Sequence, residues 1–318
     1  MTQAGSQARA LPSVERALSG PAEDRVDGWQ HRVRVVPGGL GPGKRDQEAQ
    51  DKTRARLPLA GPRLIVVLGC TSGAGQTVTA LMTGHLLASV REVPVAVLDL
   101  NPGSGSLTQQ AQGAPAATVG ALLAGEVPAG PRPDGLDGAP RGDKALGRHA
   151  HPGLEVIASD ADPLSVRALD DQDYARIAEL LGRHYPLTMV DPAASGVARV
   201  LSLADQLILV APASADAPRS VAMTQEWLDA HGYGDLAARA VTLVNGVSTR
   251  SMRDVEQAEA VARGRCRAIV RVPWDDKLSG GAAEPAMLRP QTRLAYTALA
   301  GVIIGGLAAS TDPRKALR

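Results

Sequence analysis

From residue 62 onward, short apolar runs alternate with stretches in which apolar positions recur every three or four residues. The runs are LIVVL (64–68), VAVLDL (95–100), LEVIAS (154–159), LTMVD (187–191), QLILVAP (206–212), AVTLVNGV (240–247) and AIVRVP (268–273). Each is too short for a stable helix and carries β-branched residues, so each predicts a strand. Helical patterns fall between most of them, at 76–91, 170–184, 219–231 and 252–263. Continuous apolar strands joined by helices predict an α/β fold. It would have three layers, a mostly parallel sheet of seven or eight strands, and helices on both faces.

Three segments break this rhythm. Residues 1–61 are rich in Pro, Gly, Arg and Gln and predict a disordered, basic arm with a short helix near 45–56. Residues 127–152 are Pro/Gly-rich and predict a flexible surface insertion. The run LAYTALAGVIIGGLAAS (294–310) falls short of a membrane span and predicts a buried closing helix. The folded domain is thus placed at 62–310, followed by a tail at 311–318.

Composition narrows the picture. Hydrophobic residues make up 44% of the 318, yet phenylalanine is absent and aromatics total 2%, so the core must be aliphatic. A formal charge of +1 gives no overall pull toward nucleic acid or membrane. Cys70 and Cys266 form neither a disulfide framework nor a metal-binding spacing, and the first residues lack the apolar core of a signal peptide. A cytoplasmic location is the expectation.

The chemistry concentrates at strand ends. LIVVLGCTSGAGQTVTALM (64–82) reads as strand, glycine-bearing turn and helix. A P-loop has this layout: consecutive N–H groups curl around a phosphate at a helix N-terminus, a lysine adds charge, and Ser/Thr holds Mg²⁺. Gly69, Gly73, Gly75 and Thr77 suit that role, but Gln76 stands at the lysine position. Asp99 and Asp191 each close an apolar strand, at the sheet end where α/β proteins bind ligands. Asn245 and Pro273 occupy two further strand ends.

With these motifs in this order, 60–305 resembles the MinD/ParA family of deviant-Walker-A P-loop ATPases. It is most similar to the MinD-like proteins associated with bacterial type VII (ESX) secretion, which carry an entry like GLGPGKR (39–45). The family loop Lys-Gly-Gly-x-Gly-Lys-Thr is matched by Thr71-Ser72-Gly73-Ala74-Gly75-Gln76-Thr77, and Asp-x-Asp-Pro by Asp99-Leu100-Asn101-Pro102. The resemblance implies phosphate contacts from Ser72, Gly73, Ala74, Gly75, Gln76, Thr77 and Val78. It also implies an adenine site near Asn245 and Pro273, and Mg²⁺ held by Thr77, Asp99 and Asp191. Asp99 and Asn101 stand at the family's catalytic positions.

The departures carry equal weight. Gln76 and Thr71 replace both family lysines, and Asn101 replaces the aspartate that the family uses to align the attacking water. Phosphoryl transfer depends on positioning and charge, so these changes point to a pseudo-ATPase whose affinity for ATP or ADP with Mg²⁺ is weak or lost. Arg63 and Arg91 are the nearest basic residues in sequence that could substitute. The resemblance implies an accessory or positioning factor with a protein partner in secretion, partitioning or division-site placement, and a homodimer. A slow Mg²⁺-ATPase and a non-specific DNA-binding partition protein are the alternatives. For DNA the feature is the cluster Arg250, Arg253, Arg263, Arg265, Arg267 and Arg271, which reads more simply as a solvated helix end and strand edge. Any membrane contact is expected to be peripheral. The GGLGPGKRD stretch (38–46) is read as a basic linker and not a second P-loop, since Pro42 removes a cradle N–H and Arg45 stands where Ser/Thr belongs. His149 and His151 lie in the glycine-rich insertion with no carboxylate or thiol beside them, which argues for solvent exposure and not a metal site.

Overall fold

The structure is a computed structural model that describes residues 34–36, 44–103, 106–111, 115–125, 153–160, 162–279 and 285–309. The insertion at 127–152 with His149 and His151, the 37–43 part of the glycine-rich entry, most of the arm and the tail lie outside these residues.

Nine strands form one sheet: β1 (Arg34–Val36), β2 (Arg63–Gly69), β3 (Val95–Leu100), β4 (Ala117–Thr118), β5 (Leu154–Ala158), β6 (Leu187–Pro192), β7 (Gln206–Pro212), β8 (Val241–Val247) and β9 (Ala268–Pro273). Their order is β1-β9-β8-β7-β2-β6-β3-β5-β4, and every pairing is parallel. The seven apolar runs are the seven long strands; the two additions are edge strands of three and two residues. In chain order the helices are α1 (Lys44–Ala55), α2 (Gln76–Arg91), α3 (Leu107–Gln110), α4 (Val119–Leu123), α5 (Pro163–Ala168) and α6 (Asp171–His184). They continue with α7 (Val197–Leu201), α8 (Ala217–Ala230), α9 (Gly234–Arg239), α10 (Met252–Ala262), α11 (Asp276–Ser279) and α12 (Pro290–Ala309).

The strands alternate between two cores. Ile65 and Val67 of β2 face a cluster with α2 and α12, while Val66 faces one that includes Ile177, Leu181 and Leu228. α2 is apolar almost all round because it lies in contact with β2, β3 and β6 on one side and α12 on another. α12 is long and apolar enough to cross a membrane, but most of it is buried inside the molecule, as a closing helix.

The arm extends the packed body upstream of residue 62. β1 adds to the sheet edge, pairing Arg34 to Ala268 and Val36 to Val270. The short helix expected near 45–56 is present as α1 and packs along α12, burying Asp51 and Ala55. Gly301 permits this approach: a Cβ there would stand 2.7 Å from the Asp51 carbonyl oxygen. The polar sequence of α1 gave no apolar stripe to announce this contact.

Because all strands are parallel, their C-terminal ends share one edge. Consecutive strands β2 and β3 are separated in the sheet by β6, while β7 lies on the other side of β2. Such a switch in strand order opens a crevice beside β2.

Candidate functional site

The turn after β2 lies at this crevice. Gly73 and Gly75 adopt left-handed conformations, φ 74° and 96°, which curl the chain into the N-terminus of α2. Gly75 is the N-cap, and no side chain caps the helix there. The first turn of α2 also lacks an acidic residue, whereas α6 is capped by Asp170 and α4 by Thr118. The first helical bond is from Thr79 N–H to the Gly75 carbonyl, so the N–H groups of Gln76, Thr77 and Val78 have no intrahelical acceptor. Ala74 is buried, and its N–H bonds back to the Thr71 carbonyl. Ser72 and Gly73 are exposed.

Gln76 is turned back into the protein. Its Oε1 accepts from the Gly69 N–H at 2.7 Å, and its Nε2 donates to Asp191 Oδ1 and, at 2.9 Å, to the Pro192 carbonyl. The side chain at the lysine position therefore ties the ends of β2 and β6 together. Asparagine reinforces the turn from the other side: Asn245 Nδ2 donates to the Ala74 carbonyl at 3.0 Å. A Cβ on Gly75 would stand 2.1 Å from that nitrogen, so only glycine fits.

The two strand-end aspartates are register partners on adjacent strands. Both are buried. Asp99 Oδ2 accepts from Thr108 N–H (2.9 Å) and Thr108 Oγ1 (2.6 Å), and its Oδ1 accepts from Asn101 N–H (3.0 Å). Burial pushes the Asp191 carboxyl up to about 6, against the lowering effect of Thr77 and Gln76, and neighbouring Asp99 raises it further. Asp191 Oδ2 is buried without a hydrogen bond of good geometry, although Thr77 is close enough to lower the pKa.

These features test the expected ligands. An uncapped helix of 16 residues behind two left-handed glycines suits a phosphate. The orphaned Asp191 oxygen beside Thr77 suits Mg²⁺, which takes one or two protein oxygens and completes its shell with phosphate and water. Asp99 already accepts three hydrogen bonds, so it contributes charge more readily than a direct ligand. Asn101 is partly buried and gives its N–H to Asp99.

Neither basic substitute reaches the turn. Arg63 begins β2, at the opposite sheet edge, where it pairs with Asp205. Arg91 ends α2 and donates to the Ala55 and Leu57 carbonyls. The arginine cluster is also divided. Arg265 pairs with Asp229, Arg271 with Glu259, and the Arg267 guanidinium packs against Gly306 of α12. Cys70 is held as a neutral thiol: burial pushes it up to about 11, partly offset by a bond with Thr224.

Pro273 ends β9, where a bulge at Gly246 (φ 80°) shifts the β8–β9 register. Two neighbours were not singled out from sequence. Trp274 is 57% exposed, its side chain lies beside Gly246 and its backbone N–H donates to the Val247 carbonyl. Asp275 is buried and accepts from the N–H groups of Lys277 (3.1 Å) and Arg289 (2.9 Å), fixing this loop to the start of α12. Thr108 was likewise missed. Its signal was the capping residue Ser106 just before it, which opens a short helix beside Asp99.

The fold is that of solved MinD and ParA ATPases. The chain matches the ParA family ATPase from Chlorobium tepidum with a TM-score of 0.58 at 18% identity, over 76% of this chain and 99% of that one. It matches the MinC:MinD cell division protein complex from Aquifex aeolicus with a TM-score of 0.52 at 18% identity, over 79% and 97%. In sequence it is similar to a particular protein, the ESX-1 secretion-associated protein EspI of Mycobacterium tuberculosis, at 29% identity over 279 residues. That covers 80% of this chain and 38% of EspI, so the chain spans about two fifths of its relative's length. No family model matches the chain.

Proposed function

We propose that this chain is a cytoplasmic MinD/ParA-type module that holds a nucleotide without turning it over and acts through a protein partner in type VII secretion. The observation that carries this reading is the placement of Gln76. A P-loop lysine extends toward the β/γ-phosphates. Here the side chain at that position is uncharged, and its amide is spent on Gly69, Asp191 and Pro192. The turn 70–77 contains no basic residue. Backbone N–H groups and the α2 terminus remain to hold phosphate, while Thr77 and Asp191 would hold Mg²⁺.

Bound Mg²⁺ would neutralise phosphate charge. The chain's own residues supply little else for hydrolysis. Asn101 can orient a water but cannot accept its proton as a carboxylate would. A site that binds and does not hydrolyse stays in one state until nucleotide leaves, so its output follows occupancy. EspI's association with secretion and the partner in the MinC:MinD complex support a protein-binding role for this fold.

The test is ATP binding together with turnover. The reading expects measurable affinity with phosphate release at background. Gln76→Lys adds a charge at the cradle but removes the acceptor of the Gly69 N–H, so in variant protein shown to be folded by thermal denaturation ATP binding is expected to tighten by roughly tenfold. Mg²⁺-dependent turnover by the unaltered protein that Asp191→Ala abolishes would replace this reading with a slow ATPase. The specific observation on that side is the grouping of Thr77, Asp99 and Asp191.

A further inference from the structure

The sheet edge opposite the crevice carries a second opening. A cleft of about 260 Å³ lies between the connector from α1 to β2 and the last turn of α12, lined by Pro58, Leu59, Ala60, Arg63, Leu307 and Ala308. All of these but Arg63 are apolar. Arg63 is only 9% exposed. Its Nη1 reaches Asp205 Oδ1 at 3.3 Å, the other Asp205 oxygen accepts from the Leu64 N–H, and its Nε is buried with no acceptor. Leaving a buried donor unpaired is costly, so a guanidinium in this state points to an acceptor that arrives from outside.

The charge around the cleft also favours an anion. The Arg267 guanidinium packs on Gly306, one residue before Leu307, and has no acidic partner among the described residues. Its charge complements the carbonyls that end α12. Two guanidiniums therefore stand against one carboxylate, Asp205, around the last turn of α12. The arm builds the opposite wall. Arg91 Nη1 donates to the Leu57 carbonyl at 2.9 Å and Arg56 Nε to the Val90 carbonyl at 2.9 Å, which holds residues 58–60 in place.

We infer that this cleft binds a short-chain monocarboxylate, with the chain against Leu59 and Leu307 and the carboxylate on the Arg63 guanidinium. At roughly 30 Å³ per water in the liquid, the cleft holds about eight or nine heavy atoms, the size of hexanoate. The site lies apart from the turn after β2 and does not depend on a nucleotide there. Its ligand touches both the arm connector and α12, so occupancy stabilises their contact.

The test is titration of the full chain with hexanoate and with hexan-1-ol, followed in amide NMR spectra. Hexanoate is expected to shift Leu59, Ala60, Leu307 and Ala308 saturably, with a Kd of about a millimolar. Hexan-1-ol lacks the charge and is expected to bind roughly tenfold to hundredfold more weakly. Hexanoate is also expected to slow protease cleavage between residues 44 and 61. Ala308→Trp fills the cleft from an exposed position and is expected to lose at least about tenfold in hexanoate affinity. Arg63→Gln is expected to lose the preference for acid over alcohol; thermal denaturation checks that both variants are folded, and if Arg63→Gln is not, Ala308→Trp decides. Absence of saturable shifts with hexanoate, shifts spread outside the cleft, equal affinity for the alcohol, or unaltered binding by folded Ala308→Trp would each overturn the inference.

Discussion

Gln76 is where a single side chain decides most. Both ends of its amide are bonded, the Oε1 by the Gly69 N–H and the Nε2 to Asp191 and the Pro192 carbonyl. Removing one partner from a buried bond exposes the full desolvation cost of the group left behind. Gln76→Ala is expected to lower stability by about 2–4 kcal/mol, read as a lower urea midpoint at unchanged slope. A loss under about 0.5 kcal/mol would mean the latch is not formed. Asp191 gives a pH signature. The folded carboxyl keeps its proton to about pH 6, against 3.8 for the free group. Between those values the folded state binds more protons than the unfolded one. Asp191's contribution is therefore fully present below pH 3.8 and is lost as pH rises through 6, by roughly 3 kcal/mol in all. In EDTA, Asp191→Asn keeps an acceptor for Gln76 and removes the charge. It should stabilise the protein at pH 7.5 and leave it unchanged near pH 4, with denaturation curves at the two pH values as the check.

Elements follow the sequence where burial is two-sided. The seven long strands were legible because each is an unbroken aliphatic run, and a central parallel strand can be nothing else. β1 and β4 were not, since three and two residues carry no period. The helical nature of α1 was legible from its charged, proline-free sequence, but its docking was not, because the fit depends on Gly301 in a helix 250 residues downstream. Gly301→Val places a side chain against the Asp51 backbone, which cannot move as a flexible side chain would. The expected cost is about 1–3 kcal/mol, with protease cleavage appearing first between residues 44 and 61. Cleavage there at the unaltered rate would show that α1 does not depend on this contact. The crevice was half legible: Asp99 and Asp191 were placed at strand ends, but their pairing in register needed β6 between β2 and β3. A glutamine at a lysine position reads in sequence as a loss, and its three bonds as a latch appear only when β2 and β6 are side by side.

At the scale of the whole molecule, a MinD/ParA-type sheet carries every site group on one edge and leaves the two faces to packing. On the function proposed above, the loss of hydrolysis would be confined to a few side chains on that edge, Thr71, Gln76 and Asn101, with the fold left as it is. The proposed function requires that the pocket hold nucleotide without cleaving it. It is tested most directly by single-turnover measurement of γ-phosphate release from Mg²⁺-ATP, at protein concentrations that saturate binding. The prediction is that bound ATP stays intact over hours, with release no faster than in Asp191→Ala. Release that is fast in the unaltered protein and stops in Asp191→Ala would contradict it.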